Sequence, residues 1–358
     1  MATEITPPGS FVEPPLTPPL TKEKVSSRSA QRVLNCFKLH RVGHRPQFWW
    51  QHQLALDDYR EALHMLNSDD SLRDYVEDKV RYDYDPCRSC LTIRMPSPLH
   101  DVFCAKIVEE ILQQLKQFQR SEGPSAAFAN EVEHLATSRI MIPDEIKDGK
   151  QTFSKREPDA SFKHRRARYP GVIIEVCYSQ KSQRISHLAD EYILNTDGSV
   201  NAVIALDVDY KGSKNATITV WRPEYITVDG IEELQATAVV DALPFRTESG
   251  LPAEAAALRL SLRDFATEDL WREHMRFDRE LLITSRQLCD FLSRAEEEQR
   301  VQTLQQGSIN RLRPGVGKRR RPQTPPEQLS SEEERSVEKK RESKSGRCSN
   351  DFRPNPSS

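Results

Sequence analysis

No apolar run in this sequence approaches the roughly 20 residues that a membrane-spanning helix needs. A helical membrane protein is therefore not expected. Residues 1–19 are proline-rich and carry no apolar segment of the kind found in a secretory signal, so no leader is expected either. Cysteine is sparse: seven residues, an odd number, scattered at Cys36, Cys87, Cys90, Cys104, Cys177, Cys289 and Cys348. That pattern argues against a disulfide framework and for a reducing intracellular compartment, nucleus or cytoplasm. Only Cys87 and Cys90 form a Cys-x-x-Cys pair. A structural zinc site needs two more ligands at matched spacing, and His100 alone stands nearby, so zinc is not expected. Hydrophobic residues make up 37% and charged residues 30%, a polar balance that fits disordered ends around an ordinary folded middle.

Net charge is −2, which by itself argues neither for nor against nucleic acid. Its distribution is uneven. Residues 311–358 hold thirteen Lys or Arg and seven Asp or Glu, a net of +6, so residues 1–310 carry −8. An acidic body with a basic tail lacks the basic footprint usual for a duplex-binding surface.

One stretch organises the rest. Glu157-Pro158-Asp159-Ala160-Ser161-Phe162 reads as a short strand carrying an acid. Val172–Tyr178 follows, apolar and β-branched, as expected of a central strand covered on both faces. Glu175 interrupts it. A buried carboxylate without a partner costs several kcal/mol, about 2–7 for an unsatisfied polar group, so Glu175 should meet a cation, a donor or a metal. Alternation puts Glu175, Cys177 and Ser179 on one face and Ile174, Val176 and Tyr178 on the other. Two acids on neighbouring strands can hold a hard divalent cation.

The Pro158-Asp159 pair, the second acid Glu175, and the segment Glu175-Val176-Cys177-Tyr178-Ser179-Gln180 resemble the PD-(D/E)xK nuclease superfamily, in particular uncharacterised fungal proteins with an endonuclease-like domain. The resemblance covers roughly the middle third, about residues 96–223. It implies an α/β, restriction-endonuclease-like mixed sheet flanked by helices. It implies Mg²⁺, with Mn²⁺ as substitute, bound by Asp159 and Glu175, and phosphodiester hydrolysis of DNA or RNA. In the superfamily the helix before the sheet often adds a third acid. Glu110 is the best match, because it borders an apolar face; the bland reading is a solvated surface glutamate. The superfamily also places lysine two residues after the second acid, where this chain has Cys177. Lys181, of the same strand parity, has a stem long enough to reach back, and Gln180 could orient a water without carrying charge.

Taken in order, residues 1–30 read as a disordered Pro-rich arm, either solvated or a polyproline ligand for a protein partner. Residues 31–95 read as a helical and hairpin extension. Its aromatic run Phe48-Trp49-Trp50 fits core, a lid or a base-stacking platform, and strands at 80–84 and 91–95 flank a turn at 85–89. Residues 96–250 form the nuclease-like core. Ser97 and Pro98 open a helix, as N-cap and first helical residue, that runs to about Gln119. Residues 137–142 read as the first strand of the sheet, 143–155 as a polar loop, and the basic run at 163–168, next to the proposed metal site, as either a phosphate-facing loop or a solvated turn. A helix over 181–196 ends at Asp197-Gly198, a buried strand follows at 200–208, parallel to the first, and a strand at 216–221 ends at Arg222-Pro223. Residues 251–306 read as helical, with a long helix from 267 that either packs back or pairs with another chain. Residues 307–358 read as a disordered basic tail with a nuclear-import-like run at Lys318-Arg319-Arg320-Arg321.

Three functions stay open on this reading. One is a metal-dependent nuclease using Asp159 and Glu175, with Glu110, Lys181 and Gln180 in support. Another is a catalytically inactive nuclease-like module that binds nucleic acid or protein, with Glu175 held by its neighbours. The third is a scaffold acting through the Pro-rich arm and C-terminal helix. Cys177 as a nucleophile is disfavoured, because buried cysteines are usually inert.

Overall fold

The computed structural model describes residues 27–319, apart from 44–48, 95–96, 137, 145–149, 179–181, 210–211, 255, 273–278, 306, 309, 311 and 314. The chain divides into two units, 1–306 and 307–358. In the second, the described residues at 307–319 have no helix or strand.

The first unit is a mixed α/β body. It begins with α1 (Arg28–Arg41), β1 (Trp49–Gln53), α2 (Leu56–Asn67), α3 (Asp70–Lys79) and the hairpin β2 (Arg81–Asp85) and β3 (Cys90–Arg94). Then come α4 (Pro98–Gln119), α5 (Pro124–Asn130), β4 (Val132–His134), β5 (Ile140–Pro143), β6 (Phe153–Arg156), β7 (Ala160–His164) and β8 (Val172–Tyr178). The chain continues through α6 (Ser182–Leu194), β9 (Ala202–Val208), β10 (Ala216–Val228), β11 (Ile231–Arg246), β12 (Ala257–Ser261), α7 (Glu268–Trp271), β13 (Glu280–Thr284) and α8 (Ser285–Thr303). Among the described residues no helix is long and apolar enough to cross a membrane.

Two sheets carry the body. The larger has the order β11-β10-β9-β8-β7-β4; the smaller has β1-β3-β2-β6-β5. β8 is central, antiparallel to β7 and parallel to β9 across the α6 crossover. Its apolar run is used on both faces, as the sequence predicts. Val172, Ile174 and Val176 pack in the core that holds α4 and α8, while Ile173 and Cys177 pack with Ile185, Ala189 and Tyr192 of α6. Each fully buried Val or Ile contributes about 1.5–3 kcal/mol, which pins the register and, with it, the face that Glu175 takes.

The local signals hold. Ser97 caps α4, its hydroxyl accepting from the His100 N–H at 3.2 Å, with Pro98 in the first turn. Asp197 (φ 52) and Gly198 (φ 72) take the left-handed backbone that closes α6, and the Gly198 N–H donates to the Ile193 carbonyl at 2.8 Å.

Five expectations fail. The stretch 31–80 is not continuously helical, since β1 lies within it. The strand near 137–142 joins the smaller sheet, pairing with β6, rather than opening the main one. That same β6 lies in the stretch expected to be loop; its charged Lys155 and Arg156 are buried against distant partners, so it shows no strand-like apolar pattern. β10 runs through Pro223 to Val228, because β9 pairs with it only as far as Trp221, and beyond that point a proline on a two-stranded ribbon loses no bond to a third strand. The stretch 252–266 and the first part of 267–306 form the hairpin β12–β13 instead of helix. Leu258, Leu260 and Leu262 alternate with partly or fully exposed residues at period two, and Thr284 caps α8 by a capping box with Gln287. α8 itself packs back, placing Leu288, Leu292 and Ala295 in the main core.

Candidate functional site

Asp159 immediately precedes β7, next to the Ala160↔Ile174 pair that sets β7 against β8. Its carboxylate turns back onto β8 and accepts the Val176 N–H at 2.8 Å through Oδ2. Glu175, one residue earlier on β8, points toward α6, where the Tyr192 hydroxyl donates to Oε1 at 3.0 Å. The two acids therefore do converge. What lies between them is the guanidinium of Arg94, at the end of β3. Its Nη1 donates to Glu175 Oε2 at 2.8 Å and lies 3.8 Å from Asp159 Oδ1. Its Nε donates to Asp83 Oδ2 on β2 at 2.7 Å. One arginine thus serves three carboxylates.

α4 supplies a second cation. His100 Nε2 sits 2.9 Å from Asp159 Oδ2, and its Nδ1 sits 3.3 Å from Asp101. Burial opposes the charged ring, but Asp159 and Asp101 outweigh it and raise the His100 pKa to about 9. Arg81 on β2 adds a third positive group, 3.6 Å from Asp159 Oδ1. Burial opposes ionisation of Asp159 as well, yet His100, Arg94 and the Val176 N–H together hold its carboxyl well below the usual range. Glu175 goes the other way. Burial lifts it to about 7; Arg94 pulls it down, and the carboxylates of Asp159 and Asp83 push it up.

The network continues behind the acids. The Glu157 N–H donates to Asp83 Oδ1 at 3.0 Å, and Glu157 accepts the Tyr82 N–H at 3.1 Å. Lys155 is the buried lysine of this region. Its ammonium is held by Glu157 Oε1 and the Tyr82 carbonyl, both at 2.7 Å, above the Tyr82 ring, and burial lowers its pKa to about 8.

The residues do not fit a divalent metal. Asp159 Oδ1 faces Arg81 and Arg94, and its Oδ2 takes His100 and the Val176 N–H. The Glu175 oxygens take Tyr192 and Arg94. An ion would have to compete with a guanidinium for these oxygens. Among the described residues no group of three or more His, Cys, Asp or Glu side chains is arranged to hold a metal. Glu110 is not with the other two acids. It pairs with Gln114, which also bonds the Leu282 backbone of β13. Gln180 and Lys181 lie outside the described residues. The basic run is not beside the acids either. Asp159 immediately precedes β7 and the run begins at Lys163 near the far end of that strand, roughly 13 Å away at about 3.3 Å per residue. Arg165 there pairs with Glu133, and Arg168 lies over the Tyr169 ring.

Arg81, His100 and Asp159 form one end of a cleft of about 660 Å³ that follows α4 toward Lys116 and Arg120. Arg94, Asp83, Tyr192 and the His100 pairing were not read from the sequence. A partial signal existed: in β2 Asp83 lies between two tyrosines, and Arg94 ends the otherwise uncharged β3. No protein-family model matches the chain, and no curated protein is detectably similar to it.

Proposed function

We propose that this protein is a nuclease-like module that binds a partner and does not cut nucleic acid. In this reading the central β7–β8 pair and the α6 crossover are those of a restriction-endonuclease-like core, and the acid pair has been given over to an internal ion network. The observation that carries it is Arg94 Nη1, 2.8 Å from Glu175 and 3.8 Å from Asp159, where the nuclease reading would put a metal. A guanidinium is always charged and matches carboxylates geometrically, so it holds the acids without offering an activated water. Replacement of the superfamily lysine by Cys177 points the same way, since a thiol brings no positive charge to the transition state.

The test uses the full chain. Calorimetry with Mg²⁺ and with Mn²⁺ is expected to show no binding, and single- and double-stranded DNA and RNA are expected to stay intact with either ion. Metal-dependent cleavage that disappears in Asp159→Asn and Glu175→Gln would overturn the proposal and restore the nuclease reading.

A further inference from the structure

β11 is the edge strand of the main sheet. Beyond a single bridge between Arg246 and Pro252 at its end, no described strand pairs with its outer side. From Ile231 to Ala238 its register with β10 is uninterrupted, so this stretch presents a regular row of backbone donors and acceptors. The β10–β11 ribbon also exposes apolar side chains: Tyr225 is 63% exposed, Ile231 65% and Val239 53%. Its charge is net negative: Glu224, Asp229, Glu232, Glu233 and Asp241 stand against Arg222 and Arg246, and those two arginines are paired with Asp264 and Glu296.

We infer that the outer edge of β11 is a docking site for an extended, basic segment of a partner protein, which adds as a further strand. Backbone bonds along the edge would supply affinity, and Glu232 and Glu233, one on each face at the start of the stretch, would select lysine or arginine beside them. The same charges select against other occupants. A second copy of this chain would bring another net-negative ribbon to an edge strand that has no Lys, Arg or His between Ile231 and Phe245 to meet it. Nucleic acid would bring phosphate to an edge strand that has no Lys, Arg or His between Ile231 and Phe245. Acidic residues on an edge are a common guard against self-pairing, and here the guard admits a partner of opposite sign. The inference stands independently of the ion network around Arg94.

The experiment is fluorescence anisotropy on the full chain with a labelled peptide alternating lysine and valine. Controls are the glutamate–valine peptide and a lysine–valine peptide N-methylated at alternate residues along one edge. The lysine–valine peptide is expected to bind at least tenfold more tightly than either control. The tip variant Glu232→Lys/Glu233→Lys changes two exposed residues, so its thermal unfolding should match the parent while peptide affinity falls at least tenfold. Binding that survives N-methylation or the double variant would overturn the inference, as would absence of binding or dimerisation of the free protein that the double variant changes.

Discussion

Replacing Arg94 with methionine keeps most of the volume of the stem and removes the charge. Asp83, Asp159 and Glu175 would then lose the cation they share. The Arg94 side chain is 12% exposed and the acids 8%, 3% and 3%, so water replaces little of that loss. Removing one partner of a buried ion pair costs about 3–5 kcal/mol. In a unit of this size 1 kcal/mol corresponds to roughly 2–3 °C, so the melting temperature should fall by about 6–15 °C. The assay is thermal unfolding followed by circular dichroism at pH 7.5. Glu175→Gln in the Arg94→Met background removes one of the stranded charges and should recover about 1–2 kcal/mol, a coupling visible in a double-mutant cycle. Three carboxylates would also face the vacated space, so millimolar Mn²⁺ should restore part of the loss in Arg94→Met and less when Glu175 is also changed. A fall of less than about 2 °C, or no coupling with Glu175, would refute the claim that this guanidinium holds the acids together.

Other measurements probe the remaining parts. His100 has a folded pKa raised from 6.5 to about 9, so its contribution is full below 6.5 and is lost as pH rises through 9. The difference in melting temperature between the parent and His100→Gln should therefore shrink between pH 6.5 and 9.5; a constant difference would contradict the ion pair with Asp159. Gly171→Ala would put a Cβ 2.3 Å from the Asp264 carbonyl oxygen and 2.4 Å from the Phe265 carbonyl carbon. Both are backbone atoms and cannot swing away, so urea unfolding should show a loss at or above the upper end of about 1–3 kcal/mol. Leu292→Ala on α8 should cost about 2–5 kcal/mol without altering oligomeric state, since Leu292 is fully buried in the main core rather than free for a coiled coil. A change in sedimentation with little loss of stability would favour the coiled coil instead.

How much could be read in advance depended on the range of the interaction. β8 was legible because a continuous apolar run and β-branching are local properties, and the covering of both its faces followed from them. The start of α4 and the end of α6 were legible because a serine cap and an Asp-Gly stop act within one turn. The need of Glu175 for a partner was also local, a consequence of one carboxylate in an apolar strand. The identity of that partner was not. Arg94 lies 81 residues away, and only tertiary packing brings the β2–β3 hairpin that carries it to Glu175. β6 was hidden for the same reason: Lys155 and Arg156 look solvent-facing until Glu157, Asp85 and Glu191 neutralise them. The sequence alone thus determined where the backbone forms its central strand and that Glu175 within it is buried. The tertiary structure decided which charges face them, because Coulomb energy inside a protein depends on distance through space and desolvation, and neither is written in spacing along the chain.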